Sequence, residues 1–286
     1  MSSISLIFLV NSNISPASRI GEFRCRLYFF DFPGYTLPYQ EIEINTTLFP
    51  FPKQEVIIFL EAKMTRTKLC DRILPDYTKG EELFNTISHS TGAVFGIVAL
   101  LTCIMASFAH HNIWGLVSSI IYGSSLTLLY TMSSIYHGLP KGIAKKVLQV
   151  IDHCTIYLLI AGTYTPVMLC AVRPISPGWA WTIMGIVWGC ALIAATFTAI
   201  DLKKYAKFSM VCYIGMGWCV ILAMKPTIAA VPTAGLLWLL SGGISYTVGA
   251  ILYGLGKKHR YMHSIFHLFV LAGSIMQYIT ILFYIL

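Results

Sequence analysis

The chain of 286 residues is 56% apolar and only 11% charged, with a mean hydropathy of +0.71. That balance leaves too little charge to cover an aqueous surface, which excludes an ordinary soluble domain and points to an all-α integral membrane protein. Twenty Lys and Arg against twelve Asp and Glu would suggest nucleic acid in a soluble chain, but here the cations fall in short loops between apolar runs, so no nucleic-acid partner is implied.

Residues 1–63 differ from everything after them: Pro, Phe, Tyr, Asn and Ser are mixed with half of the acids, and no run reaches spanning length. The apolar patches at 5–10 and 56–60 are too short, and the first lacks the basic flank of a signal peptide. Residues 41–49 alternate weakly, as a strand does. We expect a poorly structured cytoplasmic extension over 1–63, with Met64 as a candidate for the true start, and a basic lead-in over 64–81. The membrane domain is expected over 82–286.

Seven apolar runs follow, at approximately 82–108, 113–137, 147–170, 178–200, 206–224, 234–255 and 261–285, each long enough to cross a bilayer as a helix. The expectation is a seven-transmembrane helix bundle. Six of the eight cysteines (Cys103, Cys154, Cys170, Cys190, Cys212, Cys219) lie inside these runs with no C-x-x-C pair, and read as small buried hydrophobes. Pro166 and Pro226 read as kinks or helix ends, and Gly123-Ser124-Ser125 and Gly242-Gly243 as helix-packing contacts.

Loop cations orient the bundle. Fourteen of them (Lys63, Arg66, Lys68, Arg72, Lys79, Lys141, Lys145, Lys146, Lys203, Lys204, Lys207, Lys257, Lys258 and Arg260) fall on one side, against Arg173 and Lys225 on the other. The positive-inside rule then places the N-terminus in the cytoplasm and the C-terminus outside, with anionic lipid headgroups as neighbours of the basic side.

With that orientation, polar residues from three runs meet in one inner-leaflet layer. The second run ends Ser133-x-x-x-His137, the third begins with Asp152 and His153, and the seventh begins His263-x-x-x-His267. Residues four apart on a helix share a face, so His263 and His267 are placed to grip one ion together. Three neutral imidazoles suit zinc with its fourth position open, the arrangement of catalytic sites. Asp152 is the acid that a nearby dication would stabilise at that depth. The competing reading is that these are interfacial histidines at the headgroup level, since H-x-x-x-H alone is a weak signal. His153 lies 100° around its helix from Asp152 and reads as an interfacial or supporting group.

Four segments, Glu82-x-x-Asn85-x-x-x-His89, Ser133-x-x-x-His137, Asp152-HCTIYLLIAGTYTP-Val167 and His263-x-x-x-His267, resemble the bacterial hemolysin III family. That family is related to the progestin and adipoQ receptors and, more remotely, to the alkaline ceramidases. The resemblance covers about 77–286 and implies a zinc held by His137, His263 and His267. It also implies that Asp152 holds the attacking water and that Ser133 contacts it. Glu82, Asn85 and His89 match the first-helix motif and are taken as structural or supporting residues. Three functions are open on this reading. One is a zinc-dependent hydrolase of lipid amides or esters, with a ceramide-like substrate. Another is a non-catalytic lipid sensor with structural zinc. The third, following the family name, is a pore-forming haemolysin, which the runs support least because they lack a polar stripe. A bacterial plasma membrane is the expected location.

Overall fold

The computed structural model describes residues 6–9, 26–29, 67–255 and 259–286, and the chain divides into two compact units, 1–65 and 66–286. In the first, strands β1 (Leu6–Leu9) and β2 (Arg26–Phe29) pair antiparallel, with Leu6 opposite Phe29. β1 falls within the apolar patch at 5–10; the weakly alternating stretch at 41–49 lies outside the described residues.

The second unit is the helix bundle. Its helices are α1 (Lys79–Ala109), α2 (Ile113–Gly138), α3 (Ile143–Ile175), α4 (Pro177–Ile200), α5 (Ala206–Ala230), α6 (Thr233–Leu255) and α7 (Met262–Tyr284). All seven are long and apolar enough to cross a membrane. Leu101, Met105, Leu192, Val211, Leu237 and Phe283 stand exposed on their outer faces, which for a membrane protein is the lipid-facing surface.

Two helices run past their predicted ends. Pro166 removes a backbone donor, yet α3 continues through it: a π-helical stretch over Val167–Val172 absorbs the missing bond and carries the helix to Ile175. In α5, a 3₁₀ stretch over Cys219–Ala223 precedes Pro226 and the helix ends at Ala230. Both prolines are therefore adjustments within helices.

Neighbours in sequence are neighbours in space, and α7 returns to pack against α1. The α1–α2 contact is close because it is built from small residues. A Cβ on Gly92 would fall 2.4 Å from the Tyr130 ring, and one on Gly123 would fall 2.6 Å from the Leu100 backbone. Two buried clusters flank the bundle axis. Tyr122, Leu126, Tyr130 and Ile281 join α1, α2 and α7, while Tyr157, Met168, Ile183 and Val187 join α3 to α4. Among the cysteines, Cys103 and Cys219 are buried as expected, but Cys190 is exposed on the outer face, where lipid replaces protein as its apolar surroundings.

The ends of α1, α2, α3 and α7 that meet at the basic side are tied by charges. Thr78 and Glu81 cap α1 reciprocally: Glu81 N–H donates to Thr78 Oγ1 at 3.2 Å and Thr78 N–H to Glu81 Oε2 at 2.8 Å. Glu81 Oε1 also accepts the backbone N–H of Tyr261 at 2.6 Å, holding that residue at φ 63° just before α7 begins. One side chain thus sets the start of α1 beside the start of α7. Upstream, the lead-in is docked to the α4–α5 loop, with Thr67 N–H on Asp201 Oδ2 at 2.9 Å and Arg72 on the Ile200 carbonyl at 3.0 Å.

Candidate metal centre

Because α2 ends where α7 begins, His137 meets the first turn of α7. The Nε2 atoms of His263 and His137 are 3.3 Å apart, and those of His267 and His263 are 3.0 Å apart. One nitrogen from each of the three lies within 4.8 Å of the others. A tetrahedral zinc with bonds of ~2.0–2.1 Å would space its nitrogens by about 3.3 Å, close to the two Nε2 spacings. His137 and His267 are each 2% exposed, so they are shielded from water.

The rings are held from behind. His137 Nδ1–H donates to Glu82 Oε2 at 2.6 Å, which fixes the tautomer and leaves Nε2 free to face its neighbours. Asn85 Nδ2 lies 3.4 Å from the same Nδ1. A nitrogen that donates to Glu82 cannot also accept, so this second approach is packing. His89 stacks face to face on His267, with centroids 3.7 Å apart and planes 17° from parallel. Tyr77, from the lead-in, stacks on His263 at 4.9 Å and 16°. Burial pushes the Tyr77 phenol well above its ordinary pKa, so it faces the site as a neutral ring.

Away from the histidines the site opens into a cavity of about 400 Å³. Its polar end is lined by His89, Ser133, Asp152, His153, His263 and His267; the rest is mostly apolar, with Ile156, Ile160, Leu239, Val270 and the bare backbone of Gly243, and with scattered polar side chains such as Thr163 and Gln277. Ser133, Asp152 and His89 thus sit at the same cavity end as the histidine cluster. His153 lines the cavity too, but its Nδ1 donates to the Gln149 carbonyl at 2.7 Å and lies 3.7 Å from Asp152. Of the two paired glycines, Gly242 abuts Gln277 and the Gly273 carbonyl as a packing contact, whereas Gly243 faces open space.

Residues 77–278 match the haemolysin-III-related family. The chain is 40% identical to hemolysin-3 of Bacillus cereus over 207 residues, covering 72% of this chain and 92% of that protein. It is 39% identical to a hemolysin-3 homolog of Bacillus subtilis (strain 168) over 208 residues, 73% of this chain and 96% of that one.

The chain belongs to the haemolysin-III-related family.

A more distant similarity, 24% over 205 residues, reaches the human monocyte to macrophage differentiation factor and covers 68% of this chain and 82% of that protein. The matched region of this haemolysin-III-related protein begins at Tyr77, so it takes in the ring stacked on His263 and all seven helices as far as residue 278.

Two contributors were missed in the sequence. Lys145 was taken as a loop cation, but it is 3% exposed and its ammonium ion-pairs with Glu82 Oε1 at 2.8 Å. A signal for it existed: Lys145, Gln149 and Asp152 are spaced i, i+4, i+7 and share the buried face of α3. Tyr77 carried no such signal, because it precedes the helix and only the path of the lead-in brings it to His263.

Proposed function

We propose that this protein is a zinc-dependent hydrolase of lipid amides or esters, with its site in the inner leaflet of a bacterial plasma membrane and its N-terminus cytoplasmic. The observation that carries the reading is the placement of a three-nitrogen cluster, an acid and a hydroxyl at the polar head of an otherwise apolar cavity. That shape suits a molecule with a polar carbonyl group at one end and a long hydrocarbon chain. The excess of cations near the same end supports its cytoplasmic placement.

His137, His263 and His267 would hold the metal. When bound, zinc lowers the pKa of a water to about 7 and polarises a carbonyl oxygen. Asp152 orients the attacking water and takes its proton. Ser133, one turn before His137, holds the water or the carbonyl oxygen in place. Glu82 keeps His137 in the required tautomer, and His89 and Tyr77 restrain the other two rings. The apolar cavity receives the chain of a ceramide-like or other acylated lipid and keeps competing water away from it.

A non-catalytic lipid sensor would use the same metal to tie α2 to α7. The acid and hydroxyl beside an open face of the cluster favour the hydrolase, since a closed structural site has no need of them. A water-filled pore is the least supported, because the cavity lining is mostly apolar.

The test is metal content per chain by elemental analysis of detergent-purified protein, followed by hydrolysis of a long-chain N-acyl amide by wild type and Asp152→Asn. We expect about one zinc per chain in both, with hydrolysis in the wild type alone. Zinc present in a wild-type protein that hydrolyses neither amides nor esters would leave the sensor reading and remove the hydrolase.

A further inference from the structure

Three lysines stand close together where α2 passes into α3, and they are not equivalent. Lys141 is exposed and pairs with Asp76, Lys146 is half-buried, and Lys145 is 3% exposed. A buried ammonium is rare unless every one of its three protons is used. Here all three have an acceptor: Glu82 Oε1 at 2.8 Å, the His137 carbonyl at 3.1 Å and the Leu139 carbonyl at 2.8 Å.

These acceptors converge on one residue. Glu82 holds the side chain of His137 through its other oxygen at 2.6 Å, while Lys145 also holds the backbone of His137 directly. The result is a closed circuit through α1, α2 and α3: ammonium to carboxylate, carboxylate to imidazole, and imidazole back through its own main chain to the ammonium. A solvated loop cation would not be placed this way. Nor does an ordinary helix end need it, since orphan carbonyls at a bilayer surface have water available.

We propose that Lys145 is a positioning residue of the metal centre, fixing His137 from both sides by supplying the counter-charge to Glu82 and by clamping the last turn of α2. The proposal rests on the reading of His137, His263 and His267 as the ligands. It adds a requirement that the three ligands alone do not carry, namely that Lys145 and Glu82 act on metal affinity as a unit.

A double-mutant cycle tests it in the full-length protein, using zinc affinity by chelator competition and the visible absorption of the cobalt-substituted centre. Lys145→Met and Glu82→Gln are each expected to weaken zinc by roughly 10–100-fold, the effect of removing a partner behind a metal-bound histidine. The double variant is expected to lose less than the product of the two single losses, because one of the two routes from Lys145 to His137 runs through Glu82. The cobalt spectrum should shift with the loss of either, as the imidazole tilts. If Lys145→Met alone fails to fold, the double variant, which leaves neither charge buried and unpaired, is compared with Glu82→Gln: it should bind zinc more weakly through loss of the backbone clamp, and equal affinity of the two would overturn that clamp. Wild-type affinity and an unchanged cobalt spectrum in Lys145→Met would overturn the proposal, as would single losses that multiply in full in the double variant. A wild type that takes up neither zinc nor cobalt would remove the metal centre and the proposal with it, and the first titration reveals that case.

Discussion

Gly243 offers the most direct test of what the cavity holds. A Cβ built there meets nothing within 4 Å, and the residue lines the cavity wall on α6. Its neighbour Gly242 packs against Gly273 of α7, six residues beyond His267, which at ~1.5 Å per residue puts this level about 9 Å from the cluster. Gly243→Leu therefore adds four carbons to the middle of the chain-binding region and leaves the polar end untouched. If those carbons displace about four methylenes of a bound chain, at ~0.8 kcal/mol each, the loss is about 3 kcal/mol, or roughly 200-fold in kcat/KM for long chains. A chain shorter than about six C–C bonds, at ~1.5 Å each, stops before Gly243 and should be hydrolysed as by the wild type. The assay is kcat/KM for N-acyl amides of one head group and graded chain length. Folding provides the control, since leucine gains up to about 1 kcal/mol over glycine in a helix, so the melting temperature should hold or rise. An unchanged chain-length profile in Gly243→Leu, with zinc retained, would refute the assignment of this cavity to the hydrocarbon chain.

Three further outcomes are expected. His267→Ala should lose stoichiometric zinc by elemental analysis, because two nitrogens on His137 and His263 leave the tetrahedral set incomplete; full retention would mean that the ligands are misassigned. Gly123→Ala should lower stability by roughly 1–3 kcal/mol in thermal unfolding, since its Cβ would lie 2.6 Å from the Leu100 Cα and the α1–α2 crossing must open. Asp201 gives an acid-sensitive tie between the lead-in and the α4–α5 loop. Burial opposes its charge, but the N–H groups of Thr67 and Lys204 outweigh that and lower its pKa to about 2. A depressed carboxylate stabilises the fold above its unfolded pKa of about 4, and that contribution is lost as pH falls through about 2. Melting temperature should therefore fall over this window in the wild type and fall less in Asp201→Asn; identical slopes would exclude the tie.

The bundle was legible in the sequence because membrane burial is enforced over twenty-residue lengths: each apolar run predicted a helix, and the described residues form seven of spanning length. Proline was less legible. Pro166 looks like a stop in a local rule, but the neighbouring helices and a π turn carry α3 on to Ile175. The histidine cluster was readable from topology alone, since alternating helices return His137, His263 and His267 to one layer. The circuit behind it was not. Lys145 follows the same sign-and-position rule as Lys141 and Lys146, and only the meeting of the Glu82 carboxylate with the end of α2 distinguishes it. A loop-charge rule counts cations by sequence interval, whereas burial of one among three depends on tertiary packing that no interval encodes.

The charges of the site bear on which ion belongs there. Glu82 and Lys145 neutralise each other at 2.8 Å, and a histidine ligates a metal as the neutral imidazole. Asp152, 8% exposed, is left without a cationic partner at hydrogen-bonding distance: His153 is 3.7 Å away and already commits its Nδ1 to the Gln149 carbonyl. An isolated carboxylate is costly in a low-dielectric interior. A dication on the histidines would compensate it, and would leave the site with one net positive charge facing the cavity. On the proposed reading that residual charge would attract the electron-rich oxygen of a carbonyl, while the mostly apolar remainder of the cavity would suit a hydrocarbon. Three histidines already supply the nitrogens of a tetrahedral site with one open position, so Asp152 is not required as a ligand, and on the proposed reading its role would lie in the chemistry next to the metal.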